Sequence, residues 1–219
     1  MQKSTEQAWQ WQKIWERHNA VDTIIDYGRT VYNFFFRRIL RRYLTNHSHM
    51  IELGCGRASL SISLAPEIGS LTGADISDAA ITQAKSYALR KGLRNTRFIV
   101  ADCTNLGSDL DGKFDFSWSQ GLIEHFDDST AITQQHYTAL RHGGVALISV
   151  PYRYSYHNVW YTLTRPRLLR RFWPWTEQKF FDKKTLLALG KSITPHSRVF
   201  LLQPFPLGIV FLEIQKPIT

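Results

Sequence analysis

Residues 49–59, His49-Met-Ile-Glu-Leu-Gly-Cys-Gly-Arg-Ala-Ser59, constrain the fold of this chain more than any other stretch. A short apolar run ends in an acid, Glu52, and enters a loop with glycines at alternate positions, Gly54 and Gly56. Glycines there let the backbone pass close beneath a ligand in conformations that a Cβ forbids. Open α/β sheets bind ligands in the crevice at the carboxyl ends of their strands, and Glu52 stands at such an end. Its charge points to a ligand with a cationic or hydroxylic group.

From residue 48 onward strand and helix signals alternate, the pattern of a parallel sheet flanked by helices. Strands are predicted at 48–53, 71–75, 97–101, 114–119 and 145–150, the last ended by Pro151. The first helix is predicted at about 57–66, closing near Pro66. Ser77 and Asp78 start a second, in which Ile81, Ala84 and Ala88 recur on one face before Lys91-Gly92 stops it. A third, 129–141, is predicted to end at His142-Gly143-Gly144, and a fourth runs from Asp182 to Lys191. Two late strands, 198–203 and 208–215, are separated by Pro204-Phe-Pro-Leu-Gly208, too short for a crossover helix, so they should pair antiparallel. The expected fold is α/β: a Rossmann-like, seven-stranded, mostly parallel sheet with an antiparallel C-terminal hairpin and helices on both faces. Residues 6–45 read as two helices, the second with Tyr32, Phe35, Phe36, Ile39, Leu40 and Tyr43 on a helical period. The expected organisation is an N-terminal helical cap, 1–47, on a single structural domain at 48–219, with an irregular aromatic and basic insertion at 152–180.

A chain of 219 residues is long enough for one well-buried core and short for two. No segment approaches the ~20 uninterrupted apolar residues of a spanning helix, and Gln2 to Gln7 has no apolar signal-peptide core. Cys55 and Cys103 are too few for a disulfide framework; each stands at the mouth of a predicted strand. They read as packed thiols in a reducing, cytoplasmic compartment. The net charge of +9 is concentrated in two places. Residues 37–42 hold four arginines and no acid, and residues 152–184 hold eight Lys/Arg against two acids, which leaves about −1 for the rest.

By its motifs the chain resembles a class I S-adenosylmethionine-dependent methyltransferase of the small-molecule type, over about residues 48–150. The family's glycine loop reads acid-x-Gly-x-Gly-x-Gly; here it is Glu52-Leu-Gly54-Cys55-Gly56-Arg-Ala58, with alanine for the third glycine. That replacement is acceptable if the loop has already turned into its helix by residue 58. The resemblance implies S-adenosyl-L-methionine as cofactor, its methionine part over this loop and Glu52 near its amino group. It implies that Asp75, in Gly73-Ala-Asp75-Ile76, holds the two ribose hydroxyls, a pairing that suits a carboxylate's two acceptor oxygens. Asp102, in Val100-Ala-Asp102-Cys103, would accept from the adenine amino group, with Ile76 and Cys103 flanking the ring. A lone strand-end aspartate is more often a turn residue or helix cap; three acids in the expected order favour the ligand. Gly54-x-Gly56-x-x-Ser59 also partly matches a dinucleotide fingerprint, yet Glu52 would oppose a pyrophosphate.

After the fourth strand, Ser119-Gln120-Gly121-Leu-Ile-Glu124-His125-Phe126 resembles the family segment under the transferable methyl. Gln120 and Gly121 would approach the cofactor by backbone, and Glu124 and His125 would face the acceptor. His125 is the candidate general base, since imidazole titrates near ~6.5; the alternative is that it caps the local turn. Glu124 and His125 alone are too few ligands for a metal site. Methyl transfer from a sulfonium releases a neutral leaving group, so in-line geometry at roughly 3 Å and exclusion of water matter most.

The Asn/Asp-Pro-Pro-aromatic signature of amine-methylating nucleic-acid enzymes is replaced here by Gln120-Gly-Leu-Ile-Glu124, which disfavours nucleic acid as the partner. In the insertion, Trp160, Tyr161, Phe172, Trp173 and Trp175 stand beside Arg165, Arg167, Arg170 and Arg171. Aromatics interleaved with arginines suit a lid over an apolar pocket or peripheral contact with an anionic membrane. The expected activity is methyl transfer to a small, hydrophobic or lipid-like acceptor. The competing expectation is a non-catalytic membrane- or RNA-binding module that keeps the nucleotide-binding fold.

Overall fold

Near-continuous runs of buried residues along the central strands mark a sheet covered on both sides. The computed structural model describes Gln12 and residues 32–164, 178–202 and 208–218. Its strands are β1 (His49–Leu53), β2 (Ser70–Asp75), β3 (Thr96–Val100), β4 (Phe114–Gln120), β5 (Leu140–Pro151), β6 (Ser197–Leu201) and β7 (Ile209–Gln215). They form one seven-stranded sheet in the order β3-β2-β1-β4-β5-β7-β6. The β1 to β5 pairings are parallel, and β7 pairs antiparallel with both β5 and β6. The late strands pair as the short connection requires; their Pro204–Leu207 linker lies outside the described residues. The order reverses between β1 and β4, so the carboxyl ends of those two strands open a crevice.

The helices are α1 (residues 32–40), α2 (Ser59–Leu64), α3 (Asp78–Arg90), α4 (Ser129–Ala139), α5 (Tyr156–Thr164) and α6 (Lys183–Ile193). On one face of the sheet Met50, Leu71, Phe98, Phe116, Trp118, Leu147 and Phe211 meet α1, α2 and α3. On the other, Ala146, Ile148, Val150, Val210, Leu212 and Ile214 meet Ile132 of α4 and Leu186 of α6. Helix α1 is part of the core. The Phe36 ring lies 5.8 Å from Trp118 and 5.4 Å from Phe211, and Phe211 stacks on Phe200 at 5.1 Å. The earlier of the two expected N-terminal helices falls outside the described residues apart from Gln12, which is helical.

Local chemistry sets the helix ends. Ser77 caps α3 by accepting from Ala80 N, and Lys91 closes it before Gly92 turns at φ +69°. Asp182 caps α6 in a reciprocal pair with Thr185. Three expectations differ in detail. Helix α4 ends at Ala139, and His142, Gly143 and Gly144 lie in β5 instead. There Gly143, at φ +78°, donates to Lys216 O and Pro217 O, so the glycines fit a register irregularity against β4 and a C-terminal contact. The first helix begins at Ser59, two residues late, and Ala65–Glu67 continues it as a 3-10 turn carrying Pro66. The insertion is not wholly irregular: it contains α5, whose start is set by Ser155 Oγ accepting from Asn158 N.

On the α4 side, fully buried His136 bridges Ser117 Oγ at 2.6 Å and Ser119 Oγ at 3.0 Å. Burial pushes its pKa down to about 3, so the imidazole is a neutral clamp between helix and strand. Because Phe36 joins α1 to two strands at zero exposure, Phe36→Ala should lower stability by about 3–5 kcal/mol, read from urea unfolding midpoints.

Candidate functional site

The loop after β1 is tied down by β2. Cys55 N donates to Ala74 O at 3.0 Å, and Gly56 N donates to Asp75 Oδ2 at 2.8 Å. Asp75 Oδ1 accepts from Ser77 N at 2.9 Å, so one carboxylate fastens the glycine loop to the start of α3. Gly54 and Gly56 have φ of +63° and +50°. A Cβ on Gly54 would stand 2.5 Å from Leu122 Cδ1, so this glycine is required both by conformation and by the close approach of the β4 segment.

Ala58 corrects an expectation. It has not yet entered the helix: at φ 50°, ψ 30° it occupies the left-handed region, the only described non-glycine residue with positive φ. The family's third glycine is replaced, while the conformation that favours glycine is retained.

Glu52 is buried on the α1/α2/α3 face, and its Oε2 has no hydrogen-bond partner. Desolvation pushes its pKa up to about 8, opposed by the Ser61 hydroxyl and reinforced by the charge of Asp75. Ser61 in turn accepts from Trp118 Nε1 at 3.0 Å. Asp75 is also raised, mainly by burial, with the amides of Ser77 and Gly56 working against the rise. Asp102 lies just beyond β3, half-buried, its Oδ1 accepting from Thr104 N at 2.8 Å and Thr104 Oγ1 at 2.7 Å. The three acids therefore stand at the ends of neighbouring strands on one rim.

Gln120 ends β4 half-buried, and Gly121 N donates to Ser149 O at 3.0 Å. Glu124 and His125 sit on the 3-10 turn Ile123–His125. Glu124 is buried, Oε2 is without a partner, and burial pushes its pKa up to about 8. A Cβ on Gly121 would stand 3.2 Å from Glu124 Oε1. His125 is half-buried beside it. Ile76 is half-buried at the turn after Asp75, whereas both cysteines face the core. Cys55 packs near Phe98 and Gly73, and Cys103 packs among Ile51, Leu53 and Ala74. Burial raises both thiols, Cys103 to about 12.

Sequence reasoning missed four participants. Ser61 and Trp118 back Glu52 from two elements; Lys179 N donates to Glu124 O at 2.8 Å while its ammonium reaches Asp127 O. Gln12 Oε1 accepts from Ser77 Oγ at 3.0 Å and Ala79 N at 3.2 Å, against the turn that follows Asp75. Apart from the nine-residue step from Glu52 to Ser61, these contacts span tens of residues, so no local pattern announces them.

A family model described as a methyltransferase domain matches residues 44–184. The chain belongs to that family. It is 38% identical over 68 residues to the 2-heptyl-1-hydroxyquinolin-4(1H)-one methyltransferase of Mycobacteroides abscessus, covering 31% of this chain and 30% of that protein. It is 24% identical over 147 residues to the ubiquinone biosynthesis O-methyltransferase of Psychrobacter cryohalolentis, covering 62% and 57%. These matches span from under a third to just over half of the curated relatives' lengths. The fold is shared with magnesium protoporphyrin IX methyltransferase from Synechocystis, solved with bound SAH (TM-score 0.65, 17% identity, 94% and 92% covered). It is shared too with Haemonchus contortus phosphoethanolamine N-methyltransferase 2 in complex with S-adenosyl-L-methionine (TM-score 0.68, 16% identity, 85% and 53% covered).

Two buried, raised carboxyls give the unliganded protein a definite pH response. A raised acid in the folded state favours folding below its ordinary pKa of 4.5 and loses that contribution as pH rises towards about 8. Stability should fall across this window by at most about 1.4 kcal/mol per pH unit for each group. The Glu52→Gln/Glu124→Gln double variant should flatten the slope in chemical unfolding series.

Proposed function

We propose that the chain is an S-adenosyl-L-methionine-dependent methyltransferase acting on a small, hydrophobic or lipid-like acceptor. The observation that carries this reading is Glu52: a buried carboxylate oxygen with no partner, beside a positive-φ glycine loop, with Asp75 and Asp102 on the next strand ends. An unsatisfied buried acceptor is costly unless a ligand completes it. Three acids on one rim suit a cofactor that carries ammonium and sulfonium charges and repel a pyrophosphate.

The residues present fit that cofactor. Glu52 Oε2 would take its ammonium group, Asp75 would accept from the ribose hydroxyls, and Asp102 Oδ2 would accept from the adenine amino group. Ile76 would wall the base, Cys103 would back it from the core, and Gln120 and the Gly121 carbonyl would border the methionine part. When bound, the cofactor would supply a methyl group on a positively charged sulfur, whose loss leaves a neutral thioether. The protein's share is positioning: Leu122 presses on Gly54, and the Lys179 strap holds the Glu124–His125 turn over the crevice. His125 would remove the proton of an acceptor hydroxyl as the new bond forms. Glu124, kept neutral by burial, would donate to or accept from the acceptor's polar group.

The hydrophobic acceptor is supported by the aromatic surroundings of that turn. Phe126, Tyr152 and Phe181 pack against the same core cluster as Ile123 of that turn, and Tyr161 meets Phe180 at 5.3 Å. The names of the quinolone and ubiquinone-pathway relatives agree with such a substrate class.

Calorimetry should give S-adenosylhomocysteine heat in the micromolar range, and Asp75→Ala should weaken it at least about tenfold by releasing both the ligand and the loop. Absence of heat with the unaltered chain would overturn the assignment. With methyl-labelled cofactor and a lipid extract as acceptor pool, labelled product should form. Once an acceptor is in hand, His125→Ala should lower turnover about 10²-fold or more at neutral pH, with cofactor affinity unchanged. Unchanged turnover would assign His125 to the turn alone.

A further inference from the structure

Helix α5 is amphipathic in an unusual sense: its outward face is apolar. Tyr156, Val159, Trp160 and Leu163 recur at helical spacing and are 47%, 58%, 51% and 64% exposed. Tyr154, just before the helix, is 65% exposed. The other side of α5 is anchored. Tyr161 is buried against Phe180 and Asn158 Nδ2 donates to Arg153 O at 2.7 Å, while at the head of the outward stripe the Tyr156 and Tyr32 hydroxyls share a hydrogen bond of 2.5 Å. The outward stripe is thus held in place rather than left over from a core. Soluble proteins seldom display such a contiguous apolar stripe without a partner for it.

Charge selects the partner. No Asp or Glu occurs between residues 129 and 176, while Arg153, Arg165, Arg167, Arg170 and Arg171 lie on or near this segment in sequence. Tryptophan and tyrosine at headgroup depth, flanked by arginines, match an anionic bilayer surface. The segment that carries the stripe begins and ends at the carboxyl rim of the sheet. The segment leaves β5 at Pro151, and on its return Phe181 N donates to Pro151 O and Lys179 N to Glu124 O.

We propose that the outward face of α5 inserts into the headgroup region of an anionic membrane and turns the sheet's carboxyl rim towards apolar acceptors held there. The second half of this statement rests on the hydrophobic-acceptor reading; the first half stands without it.

The test is flotation of the full chain with phosphatidylcholine vesicles, with and without ~30 mol% phosphatidylglycerol, at low and high salt. The chain should float with anionic vesicles at low salt and be released by salt. Trp160→Ser/Leu163→Ser, two exposed positions, should cut the bound fraction roughly tenfold or more. The same variant should keep the unfolding midpoint and the S-adenosylhomocysteine heat of the parent. Failure to float, equal flotation with neutral vesicles, or equal flotation of the double variant would each overturn the proposal. So would a concentration-dependent dimer abolished by the same substitutions, because the stripe would then belong to a second copy. None of these results bears on cofactor binding, which calorimetry reads separately.

Discussion

The Asp75 carboxylate is the constraint on which the rim depends. It accepts one amide from the glycine loop and one from the start of α3, at 2.8 and 2.9 Å. A buried carboxylate is expensive unless hydrogen-bonded, and here backbone dipoles supply the compensation. The result is a loop whose position is set by β2, the neighbouring strand, before any ligand arrives. Glu52 stands at the carboxyl end of the strand that feeds that loop, and one of its buried oxygens is left without a partner.

The unpaired oxygens of Glu52 and Glu124 each work against folding, by about 1–3 kcal/mol where no water or ligand relieves them. The fold tolerates them because the sheet beneath is covered on both faces. Phe36, Trp118 and Phe211 close one side, and His136 with its two serine partners locks α4 to β4 on the other. Packing and function are therefore divided along the central strands: continuous burial in the middle, chemistry in the last residue or just beyond it.

That division explains what the sequence made legible. Strand ends carry their signals locally, since an apolar run, an acid and a glycine or cap are adjacent in the chain, and Glu52, Asp75 and Asp102 could be placed from such triplets. The alternation and the short late connection likewise gave the sheet order its parallel and antiparallel parts. Contacts closed across long separations were not legible. The Lys179 strap reaches back 52 residues to Asp127, and Gln12 reaches forward 65 residues to Ser77. Helix α5 escaped notice for a different reason. A helix with its apolar stripe outward breaks the usual pairing of periodicity with core, so its aromatics read as composition rather than as structure.

Ala58 shows how little a motif letter says about conformation. A left-handed alanine is disfavoured by roughly 1–2 kcal/mol relative to the right-handed region, and its side chain here is buried. The strain persists because neighbours over-determine it. Ala58 N donates to Cys55 O at 2.7 Å, Ile62 N donates to Ala58 O at 2.8 Å as α2 begins, and Gly56 is held by Asp75. With both ends of the turn fixed, residue 58 has one conformation open to it whatever its identity. The replaced glycine thus leaves the geometry of the loop intact. A loop so constrained gives up less entropy on meeting a ligand, which is the physical sense in which this rim is organised in advance.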